Sequence, residues 1–119
     1  MAKRPKVAVY GTLMTGERNE RWVADALDRR PCVLRGTLYD TGWGYPAFVP
    51  DADGVEVKAE LLTVTADTLA RMDVLEGYPR LYRRETVQAA MVYVMNPMPR
   101  GAKVIPGGDW RDFRNKNEQ

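Results

Sequence analysis

The chain has no histidine and a single cysteine, Cys32. Those scarcities exclude the Ser-His-Asp and Cys-His nucleophile pairs, the usual histidine-bearing zinc sites and any disulfide within the chain. Cys32 lies between Pro31 and Val33 at the start of an apparent strand and reads as a buried thiol, not a nucleophile. No apolar run approaches the ~20 residues of a membrane helix, and the opening MAKRPK lacks the apolar stretch that follows the basic residues of a signal peptide. The expected location is the cytoplasm, with no membrane partner. Charge of one sign is missing as well: 18 Lys and Arg stand among 16 Asp and Glu, for a net +2. Nucleic acid is not an expected partner on that balance. Arg111, Phe113, Arg114 and Lys116 do set an aromatic among bases, but a solvated, fraying C-terminus accounts for them. An enzyme working here without a bound cofactor must rely on carboxylates, tyrosines and backbone amides.

What is present is 119 residues, 45% hydrophobic and 29% charged. That fits one domain over residues 1–119, with its core at about 5–110 and a polar tail at 111–119. Lys6 to Tyr10 is a short, mostly apolar β-rich run, expected as a buried first strand. It ends in Gly11-Thr12-Leu13-Met14-Thr15-Gly16, followed by a helical pattern with Trp22, Ala26, Val23 and Leu27 on its inner face. A strand, a glycine loop and a helix can bind an anion through backbone amides; alternatively the two glycines only make turns. Gly11 and Gly16 have the Walker A spacing, but Glu17-Arg18 replaces its Lys-Ser/Thr, which argues against nucleoside triphosphates.

Pro31 to Tyr39 alternates as a strand, Gly44 to Val49 is a short extended piece, and Val55 to Val64 is a longer strand. Asp51-x-Asp53-Gly54 lacks the remaining ligands of a calcium loop and reads as a hairpin turn. Tyr82 to Val87 and Ala89 to Met95 are β-rich; their junction, Gln88-Ala89-Ala90, fits a tight hairpin or one bent strand. The order of elements gives an α+β fold whose largely antiparallel strands can curl into a barrel.

Between these strands, Asp67 to Glu76 reads as a helix, capped by Thr65 or Asp67, ended by Gly77 and barred from continuing by Pro79. Leu69, Met72, Asp73 and Glu76 fall on one face. Glu76 therefore sits beside the apolar stripe and in the last turn, where unpaired carbonyls carry negative partial charge. Both effects raise its pKa toward the range of a general acid or base. The alternative is that Glu76 turns to solvent or pairs with Arg80, Arg83 or Arg84.

Two stretches together carry a family resemblance: Tyr10-Gly11-Thr12-Leu13 after the first strand, and Leu75-Glu76-Gly77-Tyr78-Pro79 followed by Tyr82-Arg83-Arg84. The chain resembles the γ-glutamylcyclotransferase-like superfamily over about residues 5–110, in particular its γ-glutamylamine cyclotransferase and AIG2-like branch. The resemblance also takes in Gly44-Tyr45-Pro46-Ala47 and Ile105-Pro106-Gly107-Gly108-Asp109-Trp110. It implies a small mixed β-barrel with two main flanking helices and a cavity at one end. It further implies a cytoplasmic enzyme without cofactor or metal that cleaves a small γ-glutamyl amine or peptide to 5-oxoproline and a free amine. Glu76 would be its acid/base, and Tyr10, Gly11, Thr12 and Leu13 would hold the substrate's α-carboxylate. The Tyr82 hydroxyl would orient Glu76 or the substrate. A second reading is a small-ligand binding module that keeps the anion loop without efficient catalysis.

Overall fold

In a computed structural model, which describes residues 4–95 and 98–117, seven strands form one mixed sheet. They are β1 (Lys6–Val9), β2 (Asp28–Asp40), β3 (Pro46–Pro50), β4 (Val55–Thr63), β5 (Tyr82–Val87), β6 (Ala90–Met95) and β7 (Lys103–Val104). The order is β3-β2-β4-β1-β6-β5, with β7 added to β2. Among the described residues every strand pairing is antiparallel except β1 with β6. Val7, Ala8 and Val9 are all buried, as a strand covered on both faces requires.

The sheet curls into a nearly closed barrel around Phe48, Leu34, Leu38, Val57, Leu62 and Val92. From Asp28 to Arg35, β2 pairs with β4 on one side only, and Pro31, which has no N–H to offer a ladder, sits in that edge stretch. The edge is closed by a side chain. Gln88 Nε2 donates to the Val33 carbonyl at 2.9 Å and the Arg35 amide donates to Gln88 Oε1 at 2.9 Å, so one amide group stands in for a strand pair. Gln88 and Ala89 both have positive φ, 52° and 69°, and Val87 lies opposite Ala90. The junction is thus a tight two-residue hairpin.

The Asp51–Gly54 turn does not make a hairpin between the strands it joins. β3 and β4 lie on opposite sides of β2, with Pro50 and Val55 both opposite Gly36, so the turn crosses over β2. A Cβ on Gly54 would come within 2.6 Å of the Gly36 backbone, and one on Gly36 within 2.2 Å of the Val49 carbonyl oxygen.

Two α-helices flank the barrel, α1 (Ala66–Glu76) and α2 (Trp110–Asn117). The second is not the one expected after Gly16. There the chain forms successive i to i+3 turns with one 3-10 turn at Glu20–Val23, because the side chains of Glu60 and Glu20 capture the Thr15 and Gly16 amides and Asn19 bonds back to Thr12. Val23 is buried, but Leu27 is 49% exposed, contrary to its expected inward placement.

The expectation of a fraying tail also fails, for residues 111–117; residues 118–119 lie outside the described part. Asp109 caps α2 by accepting from the Asp112 amide, Trp110 is buried, and its ring packs 5.8 Å from Phe113. Arg114 then donates to the buried Glu17 carboxylate from Nε at 2.9 Å and from Nη2 at 2.5 Å, and Arg111 reaches the Thr15 carbonyl at 3.1 Å. The C-terminal helix thereby clasps the loop that follows β1.

Candidate active site

The loop after β1 is built from turns that leave amides unspent. The Met14 amide donates to the Gly11 carbonyl at 3.0 Å, closing a four-residue turn. In such a turn the central N–H groups point outward, and the amides of Gly11, Thr12 and Leu13 have no acceptor among the described residues. Asn19 holds the turn from behind: its amide donates to the Thr12 carbonyl and its Nδ2 to Thr12 Oγ1, both at 3.0 Å. The Thr12 hydroxyl proton stays available. Glu60, buried, accepts from the Thr15 amide at 2.8 Å and from Arg29 at 2.7 Å. Burial alone would raise its pKa, but those donors outweigh burial and hold it below the ordinary value. Gly11 is required by contact, since a Cβ there would lie 2.6 Å from the Pro46 ring.

Opposite the loop stands the C-terminus of α1. Thr65 is the cap, accepting from the Thr68 amide, and Gly77 ends the helix at φ 67°, its amide and that of Tyr78 returning to Val74 and Asp73. Met72 is buried, which turns the Asp73–Glu76 side of the helix toward the barrel mouth. The two carboxylates differ. Asp73 accepts from the Tyr93 hydroxyl at 2.6 Å and lies 3.6 Å from Arg84. Glu76 has no hydrogen bond or ion pair among the described residues, and burial pushes its pKa up from 4.5 to about 7. None of the three arginines considered pairs with it: Arg83 binds Glu85, and Arg84 lies over the Tyr78 ring and beside Asp73.

Four tyrosines surround Glu76 closely enough for its charge to raise their pKa values, after burial, which acts first in each: Tyr10, Tyr45, Tyr82 and Tyr93. Tyr10 donates to the Tyr93 carbonyl, Tyr82 to the Pro46 carbonyl and Tyr93 to Asp73, each at 2.6 Å. A neutral phenol has one proton to give. These three have committed theirs, so what remains on their oxygens is acceptor capacity.

Loop, helix end and tyrosines line one cleft of about 630 Å³, counted out to its open mouth. Tyr10, Gly11, Thr12, Leu13, Glu76 and Tyr82 all contribute to its wall. Arg18, Asn19, Tyr45 and Tyr93 also line it and were missed from sequence. Tyr93 carries no signal beyond its place in a strand; Arg18 stands out in the sequence only as the residue at the Ser/Thr position of the failed Walker A match. Among the described residues, no group of three or more Asp, Glu, Cys or His side chains is placed to hold a metal ion, and no helix is long and apolar enough to cross a membrane.

The family described as gamma-glutamyl cyclotransferase, AIG2-like matches residues 7–112. A provisionally named gamma-glutamylcyclotransferase of Halalkalibacterium halodurans is 37% identical over 95 residues, 71% of this chain and 86% of its own. The gamma-L-glutamyl-butirosin B gamma-glutamyl cyclotransferase of Niallia circulans is 40% identical over 75 residues, 62% of this chain and 47% of its own. Among solved structures, that of the Escherichia coli protein ytfP superposes with a TM-score of 0.67 at 30% identity, covering 92% of this chain and 98% of that one.

Proposed function

This chain belongs to the gamma-glutamyl cyclotransferase, AIG2-like family, and from that premise we propose that it cleaves a γ-glutamyl amide or peptide to 5-oxoproline and a free amine, without a cofactor. The observation that carries the reading is a Glu76 of pKa about 7 facing the same cleft as three amides with no acceptor among the described residues. The amides of Gly11, Thr12 and Leu13 bind the substrate's α-carboxylate, and the Thr12 hydroxyl adds a fourth donor. That fixes the adjacent α-ammonium between Glu76 and tyrosine oxygens able only to accept.

Ionised Glu76 takes a proton from the ammonium. The freed amine attacks the γ-carbonyl carbon of its own chain, forming the ring C–N bond, and the bond from that carbon to the departing nitrogen breaks as Glu76 returns the proton to it; the ring nitrogen then sheds its second proton, which the departing amine takes up to leave as an ammonium. Electrons and protons balance with no water consumed and nothing oxidised. A carboxyl group of pKa near 7 suits both halves, since it is half ionised at neutral pH. Holding amine and carbonyl in one chain inside a shaped cleft supplies the orientation.

The test is release of 5-oxoproline by the parent protein across a panel of γ-glutamyl amines and peptides. No release from any member, with unchanged ligand binding in Glu76→Gln, would favour the binding-module reading instead.

A further inference from the structure

Among the described residues, only two charged side chains line the cleft, Glu76 and Arg18. Arg18 is exposed at its mouth, in no ion pair among the described residues, whereas Arg29, Arg30, Arg71, Arg83, Arg84 and Arg114 each have an acidic partner within 4.0 Å. It is held against the backbone of Gly44, a glycine at φ +89° where an added Cβ would lie 3.1 Å from Arg18 Nη1. Its charge reaches inward far enough to act against the rise in the Tyr45 pKa. Thr12 and Arg18 also line a second cleft, with Gly16, Glu17, Gly44, Trp110 and Arg114, so Arg18 stands where the Glu76 cleft adjoins a groove running toward α2.

The chemistry assigned to the cleft gives this guanidinium nothing to do. The substrate's own α-carboxylate has three amides and a hydroxyl, and the ammonium has Glu76. A cation at the mouth, beside the path the departing amine must follow, is suited to an anion on that amine. We propose that Arg18 is a specificity-determining residue that pairs with a carboxylate carried by the leaving group, so that the preferred substrates are γ-glutamyl α-amino acids or peptides over simple γ-glutamyl amines. The planar guanidinium can take a carboxylate through two parallel N–H donors, which favours this anion in particular. The proposal rests on the cyclotransferase reading for events at Glu76, but not for the charge selection at Arg18.

The test uses γ-glutamyl-alanine and γ-glutamyl-ethylamide, which differ only in the carboxylate beside the departing nitrogen. For the parent, kcat/KM should favour γ-glutamyl-alanine by about tenfold or more, roughly what one charge-assisted contact provides, chiefly through KM. Arg18→Gln should bring the ratio of the two close to one, and Arg18→Lys should retain part of the preference. Calorimetric binding of both compounds to parent and Arg18→Gln keeps the two claims apart. A binding preference for γ-glutamyl-alanine that Arg18→Gln abolishes supports the proposal even if neither compound is turned over, a result that would count against the cyclotransferase reading alone. Equal binding of both by the parent overturns the proposal, whatever the turnover. So does an equal loss on both compounds in Arg18→Gln, because Arg18 would then be holding the γ-glutamyl α-carboxylate.

Discussion

Glu76 makes the sharpest demand on experiment, because its environment fixes a pH dependence in advance. With a pKa of about 7, the free enzyme has roughly half of Glu76 ionised at pH 7 and about 1% at pH 5, so kcat/KM should fall about fiftyfold across that interval. The substrate's α-amino group titrates above neutrality and stays protonated throughout, so the fall belongs to the enzyme. A glutamate at its ordinary 4.5 would still be about three-quarters ionised at pH 5, and the rate would scarcely change. The assay is 5-oxoproline formation at subsaturating substrate, with circular dichroism at each pH to show that the fold persists. Glu76→Gln keeps the shape while removing the exchangeable proton, and should lose at least ~100-fold with the pH dependence gone. A flat parent profile between pH 5 and 7, or brisk turnover by the Gln variant, refutes the argument. Asp73 is a poor substitute base, since Tyr93 and Arg84 already occupy it.

The same shift has a consequence for stability. Glu76 binds its proton more tightly folded than unfolded, so it favours the fold below pH 4.5, and that advantage is lost as pH rises through about 7. Glu76→Gln should therefore be more stable than the parent at pH 8, by about 2 to 3 kcal/mol in urea titrations, with the gap closing below pH 4.5. Gly11→Val sets a side chain into the Pro46 ring; it should abolish binding of γ-glutamyl compounds by calorimetry, and undiminished binding in a folded variant would sink the anion-loop assignment. Tyr82→Phe removes a buried donor to the Pro46 carbonyl and should lower stability by about 1 kcal/mol and turnover severalfold; an unchanged rate would assign Tyr82 to packing alone. Arg114→Ala strands the buried Glu17 carboxylate and should cost about 3 kcal/mol; a neutral result in thermal melts would return the C-terminus to a dispensable tail.

The sequence disclosed most where structure is set locally. Helix α1 has its cap, its left-handed glycine and its proline stop within a few residues of one another, and the misplaced carboxylate at its end was visible as a break in the apolar pattern. The strands of the barrel followed from their composition, and the family resemblance supplied the closure that composition could not. What stayed hidden depends on partners far along the chain. The positive φ values at Gln88 and Ala89 carry no glycine signal; the Gln88 side chain stabilises them from contacts 53 and 55 residues away. Helix α2 has two large apolar residues in a polar run, and its anchorage is an arginine whose carboxylate partner lies 97 residues earlier. The segment after Gly16 has helical periodicity, but side-chain capture of its first amides tightens it into 3-10 turns.

Asp73 and Glu76 show why the unfavourable group is the informative one. They occupy the same face of one helix, three residues apart, and carry the same functional group. Asp73 accepts from the Tyr93 hydroxyl of β6 and faces the charge of Arg84 of β5, and it stabilises the position of both. Glu76, one turn nearer the helix end, extends past those donors into a ring of four phenols, three of which, Tyr10, Tyr82 and Tyr93, have already given their protons to Tyr93, Pro46 and Asp73. Any one of those hydroxyls turned toward Glu76 would stabilise its charge and bring its pKa down. The backbone carbonyls that hold Tyr10 and Tyr82 thus act on Glu76 indirectly, by denying it donors. A substrate ammonium fits that gap, because it brings N–H groups to a cluster in which Tyr10, Tyr82 and Tyr93 have only acceptor capacity left. The arrangement is poor for an empty protein and good for an occupied one, and the stability gain expected of Glu76→Gln at pH 8 measures the cost to the empty protein directly.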